Sequence, residues 1–103
     1  MARLIEIEDA AACPSPLALR VGDVVLLRAA GARPPSGDDC IELLGPFIPA
    51  VLGDNAEILS PMGSPGTLLV VARRPGRASF MAIGGDPFHA PRATELSISV
   101  ELA

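Results

Sequence analysis

The sequence of 103 residues contains no tryptophan, no tyrosine and no lysine, and it has only three phenylalanines. Half of its residues are nevertheless apolar, so the core has to be built mainly from leucine, isoleucine, valine and alanine. The first nine residues mix apolar with acidic side chains, which is not typical of a signal peptide or a membrane span. We therefore expect a cytoplasmic protein with one domain, residues 1–103, that is long enough to form a core without a metal.

Positive charge is also scarce, and this excludes two classes of partner. Eight arginines stand against twelve acidic residues, which gives a formal net charge of −4. Binding to nucleic acid or to an anionic membrane needs a basic face, so we expect neither as a partner. The basic cluster Arg73, Arg74 and Arg77 flanks Pro75 and Gly76, which is typical of a solvated turn; the alternative is a docking patch.

The sequence offers little for catalysis or for metal binding. His89 is the only histidine, and a catalytic triad would need it beside Cys13 or Cys40 and Asp86. The two cysteines lack the C-x-x-C spacing of a redox or zinc site. They could form one disulfide in an oxidising compartment, but in the absence of a visible export signal we expect two free thiols. The acidic residues match no calcium-binding loop. We expect no enzyme activity, no metal and no cofactor.

Alternation and frequent turn residues predict an all-β fold with at most trivial helices. Leu96, Ile98, Val100 and Leu102 alternate with polar residues, which indicates a strand with one buried face. The apolar run 68–71 predicts a central strand covered on both faces, with the next strand paired to it as a hairpin. Seven or eight short strands in such a chain favour an immunoglobulin-like sandwich. Strands are predicted over residues 5–8, 17–21, 24–28, 39–44, 56–59, 67–72, 77–83 and 95–102.

Three segments rich in proline and glycine separate these strands and are the best candidates for a binding surface. They are Arg33 to Asp38 (RPPSGD), Gly63 to Thr67 (GSPGT) and Asp86 to Phe88 (DPF). Their order in a sandwich predicts that all three lie at one end, as the loops of a binding edge do. The predicted binding residues are Pro34, Pro35, Ser36, Gly37, Gly63, Ser64, Pro65, Gly66, Asp86, Pro87 and Phe88.

In their order, the segments resemble the loop motifs of chagasin-type inhibitors of papain-like cysteine peptidases: Asn-Pro-Thr-Thr-Gly-aromatic, Gly-x-Gly-Gly and Arg-Pro-Trp. The turn Val21 to Asp23 and the turn Arg74 to Ala78 are also similar. The resemblance spans about Leu17 to Leu102, and it implies an immunoglobulin-like fold and steric inhibition of a peptidase. Pro35 to Gly37 would then enter the peptidase cleft, while the other two segments hold its walls and Phe88 supplies an aromatic anchor.

Two other interpretations of the sequence stay open. The three segments also suit ordinary sandwich turns with no binding role. Alternatively, the domain binds a protein partner, or a second copy of itself in a homodimer, without inhibiting a peptidase. The apolar stretch Leu43 to Leu52, broken by two prolines, predicts a buried crossover between the sheets. If Phe47, Ile48 and Leu52 are instead exposed, they would form a docking or dimerisation patch.

Overall fold

A computed structural model describes residues 2–47, 51–59, 66–86 and 90–102. The regular structure in these ranges consists of β-strands and a short 3₁₀ turn, Ala10–Ala12, so the expected all-β fold is confirmed. No helix in these ranges is long and apolar enough to cross a membrane. The strands are β1 (Leu4–Ile7), β2 (Leu17–Arg20), β3 (Val24–Arg28), β4 (Gly31–Ala32), β5 (Ser36–Gly37), β6 (Ile41–Phe47), β7 (Val51–Leu52), β8 (Ile58–Leu59), β9 (Thr67–Ala72), β10 (Gly76–Asp86) and β11 (Ala90–Glu101).

The strands form two mixed sheets arranged as a sandwich. The first sheet has the order β1-β3-β9-β6, with β1 parallel to β3 and the other pairs antiparallel. The second sheet has the order β2-β11-β10-β4, with β2 parallel to β11 and with β5 also paired to β10. β7 and β8 form a separate hairpin. The short strands β4 and β5 are thus one edge of the second sheet.

The core lies between the sheets and is built from apolar side chains that alternate along the strands. In β11, Leu96, Ile98 and Val100 are buried as predicted, whereas Leu102 follows the strand and is exposed. In β9 only alternate residues are fully buried, so the prediction of a strand covered on both faces is wrong. In the described ranges the two main sheets therefore form the two layers of a sandwich. The buried apolar residues are Leu19, Val25, Leu27, Ala29, Cys40, Ile41, Leu68, Val70, Ala72, Ala78, Phe80, Ala82, Leu96, Ile98 and Val100.

The predicted hairpin between β9 and β10 is also wrong. β9 pairs with β3 and β6, whereas β10 pairs with β11, so the residues between them carry the chain from one sheet to the other. Arg73 Nη2 pairs with Glu42 Oε2 at 2.8 Å beside this crossing, and Arg74 Nη1 pairs with Asp39 Oδ2 at 3.6 Å. Both ion pairs are exposed and contribute little stability. A hairpin and a crossover use the same Pro-Gly turn residues, so local sequence does not distinguish them.

Asp23 fastens the N-terminal segment to the sandwich. It directly precedes β3, and its side chain is almost fully buried. Its carboxylate accepts hydrogen bonds from Arg3 Nη2 at 2.6 Å and from the backbone N–H groups of Arg3 and Arg20 at 3.1 and 2.9 Å. The hydrogen bond from the Arg3 guanidinium is the main reason why the pKa of Asp23 is lowered to about 2.

Asp23→Asn should lower the free energy of unfolding by about 1–2 kcal/mol at pH 7, because hydrogen bonds to a charged group are lost. Since the pKa of Asp23 is lower in the folded than in the unfolded protein, its contribution is present above about pH 4 and is lost as the pH falls toward 2. Urea unfolding of the wild type and the variant at pH 7 and along an acid series measures the difference. A difference that stays constant as the pH falls would contradict this role.

Candidate functional site

Three connections between strands meet at one end of the sandwich. β3, β6 and β10 run toward this end, and β9 and β11 leave it, as their antiparallel registers show. The connections join β3 to β4, β6 to β9 and β10 to β11. We refer to this end as the loop end; in the described ranges it comprises Ala29, Ala30, Gly66 and the backbone of Asp86.

Backbone hydrogen bonds link these connections to one another. The Ala29 N–H donates to the Gly66 carbonyl at 3.1 Å, and the Ala30 N–H donates to the Ile83 carbonyl at 2.7 Å. The Gly66 N–H donates to the Phe47 carbonyl at 3.2 Å. The β3–β4 connection is therefore hydrogen-bonded to the β6–β9 connection on one side. On the other side it is hydrogen-bonded to β10, the strand that leads into the β10–β11 connection. Such bonds fix part of the backbone before a partner binds.

The segment predicted to form the first loop runs from the neighbourhood of the loop end to the start of β10. Ser36 pairs with Ser79 near the start of β10. Because β10 runs toward the loop end, its last residue, Asp86, lies seven positions, or about 23 Å, further along. The prediction that all three segments share one end is therefore wrong for Ser36 and Gly37, which pair with the start of β10. Pro34 and Pro35 lie nearer to the loop end, in a hollow that Leu68 at the start of β9 also lines. The predicted binding residues in this edge segment are Pro34, Pro35, Ser36 and Gly37.

The first connection at the loop end is the pair Ala29 and Ala30, which the sequence analysis missed. These two residues carry the chain from β3 in the first sheet to β4 in the second. Ala29 is buried, and small side chains permit so short a crossing between packed sheets. Neither alanine is a preferred turn residue, so turn chemistry gives no signal here. The available signal is the end of the apolar run Val24 to Leu27.

Pro34 and Pro35 have a structural role at the edge of the second sheet. They lie between β4 and β5, beside the middle of β10, and the preceding Arg33 N–H donates to the Met81 carbonyl at 3.0 Å. A proline has no N–H to offer to a further strand. The two prolines therefore interrupt an edge that would otherwise be open to pairing with another chain.

Gly37 brings this segment close to β10, and we expect Gly37→Ala to destabilise the fold. Gly37 has a φ of +100°, and a Cβ there would lie 2.7 Å from the Arg77 carbonyl oxygen. The strained dihedral and the close contact should lower the free energy of unfolding by about 1–3 kcal/mol. Gly31→Ala is the matched control, since a Cβ there meets no atom within 4 Å. Equal urea midpoints for the two variants would refute the proposed close approach.

Much of the second and third predicted segments falls outside the described ranges. Gly66 and the backbone of Asp86 belong to the loop end, as expected. The role of the remaining residues in binding stays a prediction. The predicted residues outside the described ranges are Gly63, Ser64, Pro65, Pro87 and Phe88, and the same holds for Ile48 and His89.

An exposed apolar hairpin interrupts the connection between β6 and β9. β7 pairs with β8 in a sheet of its own, with Leu52 opposite Ile58. Both side chains are exposed, and so are those of Leu59 and Phe47. The interpretation of Leu43 to Leu52 as a buried crossover is therefore wrong for Phe47 and Leu52. Their exposure supports the alternative interpretation, a docking patch.

The two cysteines are poorly suited to act as nucleophiles. Cys40 is buried and Cys13 is half-buried, and both are free thiols, as predicted. Burial raises the pKa of both thiols, which disfavours the reactive thiolate. In the part of the chain that the structure describes, no group of three His, Cys, Asp or Glu residues is arranged to hold a metal ion.

Thiol labelling of the native protein at neutral pH should proceed slowly at Cys13 and more slowly still at Cys40. The reason is that labelling needs an accessible thiolate, and Cys40 has no exposed surface. In denaturant both cysteines should react quickly. Mass spectrometry after timed labelling measures the two rates, and rapid modification of Cys40 in the native state would show that this part of the core opens.

Comparison with known proteins relates the fold to solved structures. No protein-family model matches the sequence, and no curated protein matches it. The fold is similar to that of a cysteine protease inhibitor from Entamoeba histolytica, with a TM-score of 0.54 and 12% identity over 97% of each chain. It is also similar to amebosin, with a TM-score of 0.51 and 12% identity over 94% of this chain and 97% of amebosin. At this identity the likeness shows a shared fold, and the fold implied by the resemblance to chagasin-type inhibitors is thus confirmed.

Proposed function

We propose that this protein is a non-catalytic binding domain that inhibits papain-like cysteine peptidases by occupying their active-site cleft. The observation that carries the proposal is the loop end, where backbone hydrogen bonds link connections from both sheets. The fold shared with a cysteine protease inhibitor supports it, as does the resemblance of the second and third segments to inhibitor motifs. The partner is a protein, and the inhibition is steric, so no covalent bond forms or breaks.

A partly fixed backbone favours steric inhibition because ordering a flexible loop on binding costs free energy. The hydrogen bonds of Ala29, Ala30 and Gly66 meet part of that cost in the free protein. A standard interface covers about 800 Å² on each partner, far more than two alanines can supply. We therefore propose that the second and third connections contribute most of the contact, with Gly66 and Phe88 among the contacting residues.

Two arginine substitutions test which part of the chain enters the cleft. Ala30→Arg places a long charged side chain at the loop end, whereas Ser36→Arg places the same side chain at the edge of the second sheet. In a titration of a papain-like peptidase, we expect Ala30→Arg to weaken inhibition about tenfold or more and Ser36→Arg to leave it almost unchanged. Circular dichroism and urea unfolding of both variants control for folding.

The opposite pattern of inhibition would place the binding surface in another part of the chain. Inhibition that is lost in Ser36→Arg and kept in Ala30→Arg would assign binding to the proline-rich edge segment, as the motif resemblance implies. Absence of inhibition by the wild-type protein at high micromolar concentration would contradict the proposed function itself.

A second candidate function is favoured by the exposure of Phe47 and Leu52. In this alternative the domain binds another protein, or a second copy of itself, and inhibits no peptidase. Light scattering over a range of concentrations, run beside the peptidase titration, separates the two functions. A dimer without inhibition would favour self-association, and a monomer that inhibits would favour the peptidase.

A further inference from the structure

We infer that the β7–β8 hairpin is a second contact element for the same partner, which receives the Leu52 and Ile58 side chains in an apolar hollow bordered by basic residues. This inference rests on the proposed function, because it takes the partner to be the peptidase that covers the loop end. It adds a contact element outside all three predicted segments, and therefore outside the motifs on which the resemblance is based.

Exposed apolar side chains are concentrated in and beside the hairpin. Six large apolar side chains are exposed in the described ranges, and four of them lie between residues 47 and 59. Leu52 is 74% exposed and Ile58 is 77% exposed. They stand opposite each other in the register of the hairpin, so they share one of its faces. Soluble monomers seldom leave such a cluster open unless it serves binding.

The hairpin also has few contacts that would stabilise it without a partner. A two-stranded hairpin is at best marginally stable in water, and β7 and β8 form a sheet apart from the sandwich. Its turn is closed by the Gly53 N–H, which donates to the Glu57 carbonyl at 2.7 Å. Ala56 within the turn has a φ of +63°, which an alanine seldom adopts. A partner that buries one face would supply the cover that the sandwich does not.

The size of the apolar surface favours a peptidase over a second copy of the chain as the partner. An apolar patch of a few hundred Å², the usual size on a monomer, is smaller than the roughly 800 Å² that each partner contributes to a stable interface. Two copies joined through the hairpin alone would thus make too small a contact. The hairpin belongs to the connection between β6 and β9, whose ends meet where the Gly66 N–H bonds to the Phe47 carbonyl at the loop end. A partner that covers both the hairpin and the loop end contacts more surface than the hairpin alone offers.

The acidic residues of the hairpin indicate which groups border the hollow of the partner. Asp54 and Glu57 are exposed in the turn of the hairpin, beside Leu52 and Ile58. Acidic groups at the margin of an apolar contact favour a partner with basic groups at the matching positions, and such pairs mainly raise the rate of association. The partner surface that fits the hairpin is therefore an apolar hollow with a basic border.

The test is a matched pair of double variants. Leu52→Thr with Ile58→Thr removes the apolar face and keeps residues that favour strands. Leu4→Thr with Leu102→Thr is the control, because these side chains are 64% and 76% exposed and lie at the opposite end of the sandwich. In the peptidase titration we expect the hairpin variant to lose about 30-fold in inhibition or more, and the control to change by less than about threefold.

Surface plasmon resonance tests the basic border of the hollow, and light scattering tests self-association. Asp54→Asn with Glu57→Gln should slow association with the peptidase and make it less sensitive to salt, as measured by surface plasmon resonance. Wild-type inhibition that persists in the hairpin variant would refute the hairpin contact and leave the proposed function standing. A wild type that does not inhibit would overturn both. A wild-type dimer that the hairpin variant dissociates would identify the occupant as a second copy of the chain and overturn the assignment to a peptidase.

Discussion

The chain passes from one sheet to the other within two residues, Ala29 and Ala30, and the arrangement of the candidate site depends on that short crossing. The N–H of Ala29 is bonded to Gly66 and that of Ala30 to Ile83, so the crossing holds the two sheets together at the loop end. No residues are left over for a long first loop. The proline-rich segment that follows therefore runs along β10, away from the loop end.

Local pattern predicted the elements of this fold well and their partners poorly. Alternation of Leu96, Ile98 and Val100 gave the buried face of β11 correctly, because the period of two belongs to the strand alone. The pairing of β9 with β10 was predicted wrongly, since it depends on which sheet each strand joins. Which sheet a strand joins depends on its contacts with residues distant in sequence, and the local pattern does not indicate those contacts.

In the candidate site, too, residue types were easier to predict from the sequence than their position in the fold. Pro34 and Gly37 match an inhibitor motif by residue type and order, but the same residue types are also common at the edge of a sheet. Proline has no N–H to donate to a further strand, and glycine permits the close approach to the Arg77 carbonyl. A motif of turn-forming residues therefore has two physical explanations, and the register with β10 favours the structural one here. Ala29 and Ala30, which occupy the loop end, belong to no motif and could not be found in this way.

The molecule separates the groups that hold it together from the surface proposed for binding. The buried carboxylate of Asp23 accepts hydrogen bonds from Arg3 and Arg20. It lies at the end of the sandwich opposite the loop end, because Asp23 precedes β3 and β3 runs toward the loop end. The exposed Leu52 and Ile58 lie in a hairpin that belongs to neither main sheet. Leu52 and Ile58 belong neither to the buried core nor to the residues that bond to Asp23. Sequence can therefore vary in the hairpin at little cost in stability, and the same fold can present different contact surfaces to different partners.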